Sequence, residues 1–227
     1  MKKILLQSLI LLNITICSAQ QQIVSQNYNV GGAQPIFYTL QSSSGKTLNY
    51  DDIMGSPYQN KSFLPAKISG SPNENVSVRY NNYKDEIEFK KNDEIFSLPK
   101  KAEYSRIEVI STRQIIVLLN ISDETNGYFY ELVKGNNSLY KKSKTKFIDF
   151  VPASNGYTSD KPASFKTMDP EYYINIKNKF IKPKNQKEII EQFPDKKESL
   201  TSFFKSNKIK FDKEEDLIKL VNFLNQD

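Results

Sequence analysis

The chain has 227 residues, 38% of them hydrophobic and 26% charged, with a formal net charge of +6, one cysteine, no histidine and no tryptophan. That inventory excludes Ser-His-Asp and Cys-His nucleophilic catalysis, histidine-based metal sites and an intramolecular disulfide, because each needs side chains the chain lacks. A bound metal would have to be a hard cation held by oxygen ligands, and a body of this length without disulfides is stabilised by burial of apolar surface.

Lys2 and Lys3, a mostly apolar run from Ile4 to Ile16, and Cys17-Ser18-Ala19 before Gln20 follow the pattern of a secretory leader: basic start, apolar middle, small residues at the exit. The run is shorter than the roughly 20 apolar residues that cross a bilayer as a helix. Residues 1–19 are therefore expected to be a signal peptide cut between Ala19 and Gln20, giving a periplasmic or secreted protein with no transmembrane segment. Lipidation at Cys17, which would anchor the protein to a membrane, is the alternative, and the bulky Ile16 disfavours it. Without the leader the chain loses its cysteine, and its charge falls to +4.

From there to about Ile181 the apolar residues alternate with polar ones, the period of half-buried strands. Val76, Val78 and Tyr80 lie on one face, Asn81 to Asp85 supplies a turn, and Ile87 and Phe89 resume the pattern, leaving Glu86 and Glu88 on the solvent face. After Asn92-Asp93 come Ile95 to Leu98 and then Tyr104, Ile107 and Val109. Gln114 to Leu119 is dense enough to be a central strand covered on both sides. Asn126-Gly127 reads as a hairpin turn into Tyr128 to Val133, and Gly135 to Asn137 turns the chain into a strand from Leu139 to Phe150. Ala153 to Pro162 reads as a surface loop. Tyr172 to Ile176 and Phe180-Ile181 form a last pair, hinged at Lys177-Asn178.

Beyond Pro183 the period becomes helical. Asn185 with Glu188, Asp195 with Glu198 and Asp212 with Glu215 each have the spacing of a capping box. Apolar stripes follow each, the broadest being Leu217, Ile218, Leu220, Val221 and Leu224. The expected fold is α+β: an antiparallel β-meander over 20–182, rolled as a sandwich or partly open barrel, followed by a small bundle of three short helices over 183–227. Whether the helices pack on the sheet or beside it is open at this level.

Motifs that carry chemistry are sparse. Gly45-Lys46-Thr47 lacks the first glycine of a phosphate loop, and Ser-x-x-Lys matches at Ser43, Ser138 and Ser202 have no supporting motif. Carboxylates cluster at Asp51-Asp52, at Asp85, Glu86 and Glu88, at Asp93-Glu94 and at Asp212 to Asp216, but Asp85 and the Asp212 group read as turn and cap residues, and Glu86 and Glu88 as a solvent face. No catalytic residue, metal ligand or cofactor site is assigned. The sharpest local feature is Lys141 to Lys146. On a continuous strand, Lys142, Lys144 and Lys146 would line one face with Tyr140, a stripe suited to anionic lipid, acidic polysaccharide or an envelope protein partner. Lysine also protects edge strands from stray pairing. Nucleic acid is not an expected partner, since no recognition motif accompanies the charge.

Four phrases occur in order: Gly55-Ser56-Pro57-Tyr58; Arg79-Tyr80-Asn81 leading to Asp85-Glu86-Ile87-Glu88; Gly127 to Leu132 ending at Gly135; and Lys213 to Leu217. Together they resemble a group of uncharacterised exported proteins of Gram-negative bacteria, from about residue 53 to residue 225. The resemblance implies an envelope setting and a β-rich body with a helical tail, and no activity. The expected function is a non-enzymatic interaction or structural component of the cell envelope. A carboxylate-based hydrolase of polysaccharide, and a binder of anionic surface through Lys141 to Lys146, are the alternatives.

Overall fold

The computed structural model describes residues 32–72, 75–92, 94–155 and 157–226. The leader, Cys17 and the predicted cleavage site lie outside these residues, as does Asp93. Fifteen strands and three helices make up an α+β fold. Eleven strands form one open antiparallel sheet: β1 (Gln34–Pro35), β4 (Leu64–Ile68), β5 (Val76–Asn81), β6 (Glu86–Lys91), β7 (Glu94–Ser97), β8 (Arg106–Val109), β9 (Gln114–Ser122), β10 (Thr125–Val133), β11 (Asn137–Lys142), β14 (Glu171–Ile176) and β15 (Lys179–Ile181). Their order across the sheet is β1-β7-β6-β5-β4-β8-β9-β10-β11-β14-β15. Two small hairpins stand apart, β2 (Thr39–Gln41) with β3 (Thr47–Asn49) and β12 (Thr145–Ile148) with β13 (Ser164–Thr167).

Turn chemistry explains much of this order. Lys177 and Asn178 both adopt left-handed φ, 50° and 65°, and join Ile176 to its cross-strand partner Lys179, as a two-residue hairpin turn requires. Between β5 and β6 the Asn81 carboxamide accepts the backbone N–H groups of Tyr83 and Lys84, so its side chain folds the turn. Asn126-Gly127, in contrast, is not a turn. The chain reverses at Asp123-Glu124, Ser122 faces Thr125, and the register slips before Asn126, placing Gly127 inside β10 with φ 104°. Gly127 is needed there for another reason: a Cβ would overlap the Asp85 carboxylate.

One face of the sheet is lined by two continuous cores. Where the sheet rolls, Val78, Tyr80, Ile87, Phe89, Phe96, Ile107, Ile116, Tyr128 and Tyr130 pack together. On the same face of β11 and β14, Leu139, Tyr172, Ile174 and Ile176 are covered by α1 (Gln186–Gln192), α2 (Lys197–Ser206) and α3 (Glu214–Leu224). The helices therefore pack on the sheet. Leu217, Leu220 and Val221 of α3 are fully buried in that contact, each worth about 1.5–3 kcal/mol of transfer free energy. β9 lies near the middle of the sheet and buries Ile116 on one face and Val117 on the other, the doubly covered strand its sequence suggests.

Of the three capping boxes, one forms. Asn185 accepts the Glu188 N–H at 3.0 Å, and the Glu188 carboxylate accepts the Lys184 N–H and the Asn185 amide. Asp195 instead sits inside a single 3-10 turn, Pro194–Lys196, that runs directly into α2, and α3 starts at Glu214, one residue later than Asp212 would require as its cap. Asn207 does stop α2, its amide donating to the Phe203 carbonyl.

Candidate functional site

The predicted strand from Leu139 to Phe150 is broken. β11 ends at Lys142 and β12 begins at Thr145 in a different sheet, so the lysines do not form one stripe. Tyr140 is buried, packing with Phe129 and Tyr173 and against the ring of Phe180. Lys142 is only 4% exposed. Its ammonium reaches back to Asp85 at 2.7 Å and to the carbonyls of Asn126 and Tyr128 at 3.2 and 2.9 Å, and lies 4.8 Å from the Phe129 ring centre. Lys144 is exposed but pairs with Glu171, and Lys141 pairs with Glu214 on α3. Of the lysines from 141 to 146, only Lys146 is left as an exposed cation with no ion pair among the described residues.

Lys142 belongs to a knot that ties the β5–β6 turn to the start of β10. Asp85, held at φ 55°, accepts Lys142, Lys100 at 3.0 Å, the Tyr80 hydroxyl at 2.5 Å and the Tyr128 N–H at 3.2 Å. Burial pulls the Lys142 ammonium below its usual range, against the Asp85 carboxylate, which holds it up. A second knot lies on the other face of β5 and β6. Glu88 has the alternation of a solvent-facing residue, yet it is fully buried, with the hydroxyls of Tyr38 and Tyr58 closing on its carboxylate. It accepts Arg79 Nε at 2.6 Å, the Tyr58 hydroxyl at 3.0 Å and the Asn81 amide at 2.8 Å, with the Tyr38 hydroxyl at 3.4 Å. The Arg79 guanidinium lies 4.0 Å from the Tyr58 ring centre and 4.4 Å from that of Phe63. Burial, then the charge of Glu88, pushes the Tyr38 hydroxyl up to about 12 and that of Tyr58 further still.

These knots show what the Asp85 to Glu88 cluster does. Both inward-facing acids of the Asp85 to Glu88 segment are met by cations. Glu86 is the third acid; burial pushes its carboxyl up, with Lys84 opposing. Among the described residues no three acids converge as a metal site would need. Three of the four phrases quoted above meet here: Tyr58, Arg79, Asn81 and Glu88 in one knot, and Tyr80, Asp85, Gly127 and Tyr128 in the other.

One surface without ion pairs among the described residues lies on the β12–β13 hairpin. Lys146 sits directly across from Lys166, and Ile148 across from Ser164, so these four project from one face, while Phe147 and Phe165 project from the other into a small core with Tyr50 and Ile53. Past Ile148 the loop carries exposed Phe150, Val151 and Tyr157, the last 100% accessible, and Met54, bridged to Ser164, adds a further exposed apolar side chain. Lys161 pairs backbone to backbone with Val151 and has no ion pair among the described residues. The loop's two acids are occupied by backbone donors: Asp149 accepts the Ser43 and Phe150 N–H groups, and Asp160 that of Ala153. The Ser43 side chain and N–H also hold the Asp149 carboxyl below its usual range. Two like charges placed side by side cost stability, and a cluster of bare apolar side chains beside them costs solubility. The sequence hinted at this site only through Lys146; Lys166 and the loop were legible as residues but not as neighbours, because their pairing spans a loop of fifteen residues between the two strands.

Comparison with protein families, with curated proteins and with solved structures finds no match for this chain. No helix among the described residues is long and apolar enough to cross a membrane.

Proposed function

We propose that this protein is a non-enzymatic interaction component of the bacterial cell envelope that docks onto an anionic membrane surface through the β12–β13 hairpin. The observation that carries the reading is the pairing of Lys146 with Lys166 on one face, continued by the bare apolar tip of Ile148, Phe150, Val151 and Tyr157. Lysines near an anionic leaflet contribute about 1 kcal/mol each, so Lys146 and Lys166, which share one face, supply about 2 kcal/mol. Aromatic and aliphatic side chains at the tip enter the headgroup boundary, where an aromatic ring is favoured. The pairing of Asp85 with Lys142 and of Glu88 with Arg79 supports the non-enzymatic part, and the leader-like first nineteen residues support the envelope setting. Tyr140 and Lys142 have no part in this surface, because both are needed inside the fold.

Co-sedimentation with vesicles tests the reading. Vesicles containing about a third phosphatidylglycerol should retain the protein, and vesicles of phosphatidylcholine alone should not. Binding should weaken steeply as salt rises, because exposed charges are screened within about 10 Å at 0.1 M. Lys146→Glu with Lys166→Glu should abolish it, and Phe150→Ser with Tyr157→Ser should weaken it while leaving the salt dependence in place. Retention that ignores both salt and the lysine changes would refute the proposal.

A further inference from the structure

A second unassigned surface lies far along the chain from the hairpin, where the helices meet. Lys184, Asn185, Gln186, Lys187, Ile190 and Glu191 of the α1 segment, Lys197 at the start of α2, and Phe211 between α2 and α3 line an open hollow of about 890 Å³. Its floor is apolar: Ile190 and Phe211 are partly buried hydrophobics packed against the helix–sheet core, and Phe211 lies 6.3 Å, ring centre to ring centre, from Phe204. Its rim is cationic. Glu191, the single carboxylate in the lining, stands 3.9 Å from Lys187 and is answered by it. Lys184 and Lys197 are exposed and form no ion pair among the described residues.

An apolar floor under a rim of three lysines and one carboxylate is complementary to a molecule that is apolar at one end and anionic at the other. The shape points the same way. The hollow opens broadly to solvent, so the charged end of an occupant keeps its hydration while its chain covers Ile190 and Phe211, and the lysine stems themselves offer apolar walls. We infer that this hollow is a binding site for a single-chain anionic amphiphile, a fatty carboxylate or its lipid equivalent, with the head between Lys184, Lys187 and Lys197 and the chain on Ile190 and Phe211. This site is independent of the hairpin surface and stands or falls separately from it.

Calorimetry with dodecanoate below its micelle concentration tests the site directly. The chain contains no tryptophan, so Phe211→Trp gives a single fluorescent reporter on the floor. Dodecanoate should bind in the micromolar range with one site per chain and shift the reporter's emission to the blue. Lys184→Gln, Lys187→Gln and Lys197→Gln combined should weaken binding about tenfold or more, since exposed pairs contribute some tenths of a kcal/mol to 1 kcal/mol each. These lysines are exposed, so the variant should keep its circular dichroism and melting temperature. The hairpin variant Lys146→Glu with Lys166→Glu should bind dodecanoate normally. Absence of binding, equal binding of decyl maltoside, or unchanged affinity in the triple variant would overturn the site. Binding of an acidic peptide with no response to dodecanoate would overturn it in favour of a peptide groove.

Discussion

At Gly127 two requirements coincide at one atom. A φ of 104° is strained for any residue with a Cβ, and that Cβ would overlap the carboxylate on which Lys142, Lys100 and Tyr80 converge. Gly127→Ala should therefore destabilise the fold by about 2–4 kcal/mol, combining backbone strain with a displaced buried charge, and a chemical denaturation curve would read this directly. Its neighbour Tyr128 should behave in the opposite way. The Tyr128 hydroxyl is buried and finds no hydrogen-bond partner among the described residues, so Tyr128→Phe removes an unsatisfied polar group and should be neutral or stabilising by about 1 kcal/mol. Tyr80→Phe breaks the bond to Asp85 and should cost about 1–2 kcal/mol. Equal effects from the two tyrosine changes would contradict the assignment of the Asp85 knot.

Among the elements, α3 is fastened to the sheet at both ends. Lys141 reaches Glu214 at 2.7 Å at its start. At its finish Asn225 accepts the Asn137 N–H at 2.8 Å and donates to the Asn137 carbonyl at 2.9 Å, while the Asn137 amide donates to the carbonyl of Leu224. Asn225→Ala strips the buried start of β11 of its partners, and the expected cost is about 2 kcal/mol, seen as a lower denaturation midpoint with an unchanged slope. A reduced slope would mean that α3 detaches as a separate unit. These clamps were not legible beforehand, since nothing in the local pattern ties residue 137 to residue 225. What was legible is what depends on neighbours in sequence: the alternation of Val76, Val78 and Tyr80, the Lys177-Asn178 turn, the Asn185 cap and the stripe of α3. The failures have the complementary cause. Asn126-Gly127 has the composition of a turn, but the glycine is demanded by Asp85, more than forty residues away. Glu88 alternates like a surface residue, but Tyr38 and Tyr58, from thirty to fifty residues earlier, cover it. The break after Lys142 removes the lysine stripe for the same reason, because that lysine is drawn to Asp85 rather than to solvent.

For the molecule as a whole, the packing of so many tyrosines makes the fold sensitive to alkali. Burial, the largest cause in each case, pushes the hydroxyls of Tyr38, Tyr130 and Tyr172 up to about 12 from an ordinary value near 10, and raises those of Tyr50, Tyr58, Tyr80 and Tyr128 as well. Between the unfolded and folded pKa values the native state holds protons that the unfolded chain has released. The slope of stability with pH is then negative, so the full contribution present below pH 10 is lost progressively as pH rises through the folded values. Lys142 works against this trend. Its lowered folded pKa means that the unfolded chain binds the extra proton, so stability rises with pH across its window. One lysine opposes eight tyrosines, since burial raises the Tyr140 hydroxyl as well, and the net direction is loss. The melting temperature should hold steady from neutrality to about pH 9, then fall steeply between about pH 10 and 12, with the tyrosinate absorbance of the buried tyrosines appearing in step with the loss of secondary structure. If the tyrosines ionised ahead of unfolding, near their ordinary value, the two cores and both polar knots would be open to solvent. The interlocked sheet described above could not then be the state in solution.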